Sequence, residues 1–163
     1  MTAAPVFEPR SRPPFRERVQ ALMGHSTYRE PSGPSTTQRT VPADHMIAAA
    51  LAFGRRDRND IGPDIAIDIA TGRRQHARKV CEALGRALAA DRSALAKRMR
   101  PYVAIAAADA YGTLVDGQRY PRPEGARDED WSTLVAAGCL ILERLADDAL
   151  ALAARRWRAE EVA

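Results

Sequence analysis

The sequence predicts an all-α fold: a four- to five-helix bundle with an extended Arg/Pro-rich N-terminal arm. Three observations carry this. Trp131, Val135, Gly138, Leu142, Leu145, Ala149 and Leu152 recur at alternating steps of four and three, a helical seam. The one stretch that alternates at the strand period, Ile65, Ile67 and Ile69, has no second strand to pair with. Seven of the 11 prolines, from Pro5 to Pro42, fall within residues 1–43, and proline removes the backbone donor that regular structure needs.

In the arm, residues 14–23 form one island. Phe15, Val19, Leu22 and Met23 stand at i, i+4, i+7 and i+8, which predicts a short amphipathic helix. It must fold against this chain's core or a partner. His25 to Ala43 is a polar linker. The helical domain, residues 44–163, opens with Asp44 as the cap of a helix through Met46, Ile47, Ala50, Leu51 and Phe53, closed by Gly54. Pro63 suits the first turn of the next element. Residues 63–71 are therefore read as helix, with strand as the alternative.

A helix follows Gly72 to about Ala90, with Ala77, Val80, Cys81, Leu84 and Leu88 on one stripe. Asp91 caps another, which keeps its spacing from Leu95 to Leu114 and is kinked or split at Pro101. The short joint between these two favours antiparallel neighbours. After a loop with Pro121 and Pro123, the last helix runs from about Asp128 towards Glu160. Its first turn is acidic and its last basic, as the helix dipole prefers.

The chain of 163 residues is 45% hydrophobic and 28% charged, with two cysteines. Those values exclude disordered, collagen-like and disulfide-scaffold classes. No cationic start leads into an apolar stretch, and the longest uncharged run, Trp131 to Leu142, is too short to span a bilayer. A cytoplasmic protein with buried free thiols and no membrane partner is expected.

Net charge is +4, unevenly spread. Residues 73–101 hold nine cations and two acids, whereas residues 128–163 hold four arginines and eight acids. The candidate phosphate contacts are Arg73, Arg74, Arg78, Lys79, Arg86, Arg92, Lys97, Arg98 and Arg100. Guanidinium groups along a rigid helix bind phosphate bidentately. The competing expectation is internal pairing of this face with Glu143, Asp147 and Asp148.

Other chemistry finds little support. His25, His45 and His76 form no metalloprotease pair, and no glycine-rich phosphate loop is present. Cys81 and Cys139 lack zinc-site spacing. Asp57, Asn59 and Gly62 fit part of a calcium loop, but Ile61 stands where an oxygen ligand belongs and Asp68 where a glutamate is expected. A solvated turn is the better reading. Ala50 with Gly54, and Ala108 with Gly112, begin a helix-turn-helix pattern, but Asp60, Pro63 and Gln118 break it. Tyr102 and Trp131 lie on apolar faces and are read as core, and Trp157 as an edge residue.

The run Ala108-Asp109-Ala110-Tyr111-Gly112-Thr113-Leu114-Val115, with Pro123-Glu124-Gly125, Asp130-Trp131, Leu134-Val135 and Asp147-Asp148-Ala149-Leu150, resembles small uncharacterised helical proteins of temperate phages and prophages. The resemblance covers the last third of the chain. It implies an accessory or regulatory context and, being made of packing residues, brings no site residue with it.

The sequence thus points to a non-enzymatic, phage-type regulator associated with nucleic acid or the transcription machinery, without metal or cofactor. The alternative is a protein-interaction module, an inhibitor of a host machine or a virion component, with no nucleic-acid contact. There Phe15, Arg16, Val19, Leu22 and Met23 would anchor a host or phage protein. The last helix offers a seam for self-association.

Overall fold

The structure is a computed structural model that describes residues 13–24 and 44–162. Among these residues it is all-helical: α1 (Phe15–Gly24), α2 (Asp44–Ala52), α3 (Gly62–Thr71), α4 (Ala77–Ala90), α5 (Ala94–Met99), a 3-10 turn (Arg100–Tyr102), α6 (Val103–Val115) and α7 (Asp128–Val162). The expected four or five helices become seven, because α1 docks and Pro101 divides α5 from α6. No helix among the described residues is long and apolar enough to cross a membrane.

Residues 63–71 are helix. Pro63 sits in the first turn, where its missing N–H costs no intrahelical bond. Gly72 closes α3 in the left-handed region (φ 69°), donating its N–H to the Asp68 carbonyl. That stop corrects the expected start of the next helix. Arg73 and Arg74 lie in the turn before α4, which begins only at Ala77. Ser93 rather than Asp91 caps α5: its Oγ accepts from Ala96 N at 3.1 Å, while Asp91 accepts from Ser93 N and Oγ.

Of the seven α7 seam residues, Trp131, Val135, Gly138, Leu142 and Ala149 are buried and Leu145 packs half-buried against the core, whereas Leu152 is half-buried outside it. The α7 helix spans 35 residues and packs on α6 along its first half and on α2 and α3 beyond. Gly138 makes the first contact possible, since a Cβ there would come within 2.9 Å of the Ala110 Cβ. Gly54 does the same beyond, where a Cβ would meet the Ala149 carbonyl oxygen at 2.2 Å.

Arg74, before α4, reaches Asp116, after α6, so these two helices are antiparallel as the short joint favours. By contrast α6 and α7 run parallel. Residues 116–127 return along α6, Gly125 passes the Tyr102 hydroxyl, and α7 starts near α5, where Arg98 pairs with Asp130. This return strap is held by the fully buried Asp109, whose Oδ1 accepts from Arg119 Nε at 3.0 Å and Tyr120 N at 2.8 Å.

The flexible arm expected over residues 1–43 lies outside the described residues except for α1. That helix packs on its own chain: Val19 is fully buried, and Phe15, Leu22 and Met23 pack against the core. Arg16 Nη1 donates to the Ala70 carbonyl at 3.1 Å, and Arg18 pairs with Asp147 at 2.7 Å. The assignment of Phe15, Arg16, Val19, Leu22 and Met23 as a free partner anchor is therefore corrected. Their apolar stripe completes this chain's core, which removes it from water without a partner.

Candidate nucleic-acid interface

The nine cations between Arg73 and Arg100 do not form one face. Five meet carboxylates. Arg73 Nε lies 3.1 Å from Asp44 Oδ2, and Arg78 Nε lies 3.1 Å from Glu82 Oε1 one turn on. Arg74 grips Asp116 bidentately at 2.6 and 3.0 Å, with its guanidinium over the Tyr111 ring. That hydrogen-bonded pairing pulls the Asp116 carboxyl below its usual range. Lys79 Nζ lies 2.7 Å from Asp64 Oδ2, and Arg98 Nη2 lies 3.1 Å from Asp130 Oδ1. The expected partners of the basic face were Glu143, Asp147 and Asp148. Instead Arg74, Arg78 and Lys79 take Asp116, Glu82 and Asp64, because α4 packs against α6 rather than along the acidic part of α7.

The remaining four, Arg86, Arg92, Lys97 and Arg100, are exposed and form no ion pair among the described residues. They lie where α4 turns into α5 and the 3-10 turn. The nearby acid Asp91 directs both of its oxygens to Ser93. This corner is the open part of the basic segment, with the half-exposed Arg98 beside it. Exposure leaves these groups hydrated and free to exchange water for phosphate oxygens.

Behind α4 lies an arrangement that the charge pattern did not indicate. Asp64 and Asp68 sit one turn apart on α3 inside an Ile/Ala run, at 2% and 0% exposure. Asp64 holds Arg55 Nη2 at 2.7 Å as well as Lys79. Its burial pushes the carboxyl pKa up, but the hydrogen bonds from Arg55 and Lys79 prevail and hold it below the usual range. Asp68 Oδ2 accepts from Tyr111 Oη at 2.6 Å and from His76 N at 2.9 Å, and Oδ1 lies 2.9 Å from His76 Nδ1. Burial, with Asp68 as acceptor, pushes the Tyr111 hydroxyl well above its ordinary value. Asp68 and Tyr111 are both fully enclosed. Their hydrogen bonds therefore join α3, α4 and α6 to one another. The sequence signal was present, two aspartates at i, i+4 within isoleucines, but a pattern does not name their partners.

The partial calcium loop folds as a turn. Asp57 Oδ1 accepts from Asn59 N, Asp60 accepts from Arg56 N and Gly62 N, and Asp68 is committed to Tyr111 and His76. Among the described residues no group of His, Cys, Asp and Glu is placed to hold a metal ion. Cys81 and Cys139 are free and half-buried, and burial raises both thiols. An open hollow of about 670 Å³ between α6 and α7 is lined by Thr113, Arg119, Ser132, Val135, Cys139 and Glu143. Its one cation, Arg119, already faces Asp109. Comparison of the chain with known protein families, curated proteins and solved structures finds no match.

Proposed function

We propose that this protein is a non-enzymatic regulator of phage type that associates with nucleic acid, or with a transcription complex that carries it. Contact is made at the corner between α4 and the 3-10 turn. The observation that supports this reading is the set Arg86, Arg92, Lys97 and Arg100, exposed and without a carboxylate partner among the described residues. Cations so placed neutralise phosphates and release condensed counterions, so affinity falls with salt. No aromatic group is interleaved with them to stack on unpaired bases, which favours duplex over single strand. The reading puts the protein in the cytoplasm with its target.

The test is equilibrium binding to generic duplex DNA and RNA across salt. Four phosphates neutralised on duplex DNA give a slope of log affinity against log salt of about −3.6, so a rise from about 50 to about 200 mM weakens binding roughly a hundredfold. Absence of salt-sensitive binding at low ionic strength overturns the reading.

A further inference from the structure

The cleft that holds α1 has the features of a recognition site. The α1 helix has ten residues, too few for a helix to persist alone in water. Its order comes from its seat on α2, α3 and α7. Nineteen residues separate Gly24 from Asp44, so docking is a tethered association, favoured by local concentration rather than by chain continuity.

The seat reads a pattern. Phe15, Val19, Leu22 and Met23 insert as an i, i+4, i+7, i+8 stripe, the mode by which a groove accepts an amphipathic helix. Two arginines are read beside it. Arg16 meets the carbonyl of Ala70 near the end of α3, one of the carbonyls a helix leaves without an internal partner, and lies 3.7 Å from Asp44 Oδ1. Arg18 meets Asp147 on α7. The fit is incomplete: Arg18 Nε is buried with no hydrogen-bond partner, a deficit that a better occupant would not carry.

We infer that this cleft is a receptor for a basic amphipathic helix of a partner protein, with α1 as the tethered occupant that it displaces. The charge of the seat selects the class. Asp44, Asp147 and the Ala70 carbonyl present only acceptors, so the incoming helix carries arginine or lysine one and three positions after its first apolar anchor. Asp44 also holds Arg73 at 3.1 Å, so exchange of the occupant alters the charge balance at the start of the basic segment. The inference does not depend on nucleic-acid contact, and either can fail alone.

Two experiments on the full chain test it. In hydrogen exchange of the wild type, α1 amides exchange roughly a hundredfold faster than those of α3 and α7, because α1 leaves its seat without global unfolding. Equal protection overturns the proposal. A labelled peptide of residues 13–24 is then titrated into wild type and Val19→Asp. The Val19→Asp chain keeps its cooperative melt and binds the peptide at least about tenfold more tightly than wild type, whose site is occupied by its own α1. Adding Asp147→Ala to Val19→Asp weakens the peptide again. Loss of the cooperative fold in Val19→Asp, or a folded Val19→Asp that binds the peptide no better than wild type, refutes the proposal.

Discussion

Residues 73–79 and 86–100 are two stretches of one basic segment, similar in composition and different in surroundings. In the first, each of the four cations meets a carboxylate: Arg73 with Asp44, Arg74 with Asp116, Arg78 with Glu82, Lys79 with Asp64. Three of those acids come from other elements, carried there by packing of α2, α3 and α6. In the second stretch only Arg98 is paired, and Arg86, Arg92, Lys97 and Arg100 face solvent. Three pairs of the first join separate elements, Arg78–Glu82 is an exposed pair within α4, and the second stretch is left mostly without carboxylate partners among the described residues. A run of like charge is thus left open to outside partners only where the fold brings no counter-charge.

The largest effect expected from this contrast is at Asp64. Asp64→Ala removes the buried carboxylate that joins Arg55 to Lys79; the two cations are 33% and 44% exposed and regain water, so the loss is about 2 to 3 kcal/mol. The melting midpoint should fall by roughly 5 to 10 °C. An unchanged midpoint would mean that the first stretch does not anchor the fold.

Gly112→Ala probes the same anchor without removing a charged group. A Cβ there would lie 2.5 Å from the Gln118 carbonyl oxygen and 2.9 Å from Arg74 Nη2. The strap and Arg74 must shift, at about 2 kcal/mol, with faster proteolysis of residues 116–127. Arg74→Ala removes the bidentate pair and its contact with Tyr111. Because the guanidinium is 30% exposed, solvent screening limits the loss to about 1 kcal/mol.

Acid titration separates Asp64 from surface pairs. Its carboxyl pKa in the fold is below the unfolded value of about 3.9. The stability it contributes is therefore complete above that unfolded value and is lost as pH falls through the folded one. Asp64→Asn should flatten the loss of stability below about pH 4. An Asp64→Asn chain with the wild-type acid profile contradicts the assignment. The smallest stability effects are expected in the second stretch, where Arg86→Ala, Arg92→Ala, Lys97→Ala and Arg100→Ala each stay within about 0.5 kcal/mol by thermal melting.

Helical spacing, capping residues and proline position made most elements legible: α2 from Asp44, α3 from Pro63, the division at Pro101, and the inward seam of α7. These signals are local. The parallel course of α6 and α7 was not legible, because it depends on Asp109 holding a strap ten residues further on. The docking of α1 was legible as a stripe but not as a destination. The basic segment was legible as charge, yet its division was not, since Asp44, Asp64 and Asp116 reach Arg73, Lys79 and Arg74 only through packing. Asp64 and Asp68 stood in plain view within α3, but burial turns them from solvated acids into acceptors, and burial is a property of the assembled helices.

The most direct measurement compares binding of a generic DNA duplex, across salt, by three full-length proteins: the wild type, a variant with Arg86, Arg92, Lys97 and Arg100 each changed to Glu, and a control with Arg73 and Arg78 changed to Glu. Phosphate contact at the corner requires salt-sensitive binding by the wild type, a fold that survives in the fourfold variant with its binding abolished, and most of the affinity retained by the control. Each phosphate that a variant no longer neutralises should lower the salt slope by about 0.9. Wild-type protein that binds no duplex at low salt, or a fourfold variant that binds as the wild type does, would contradict it.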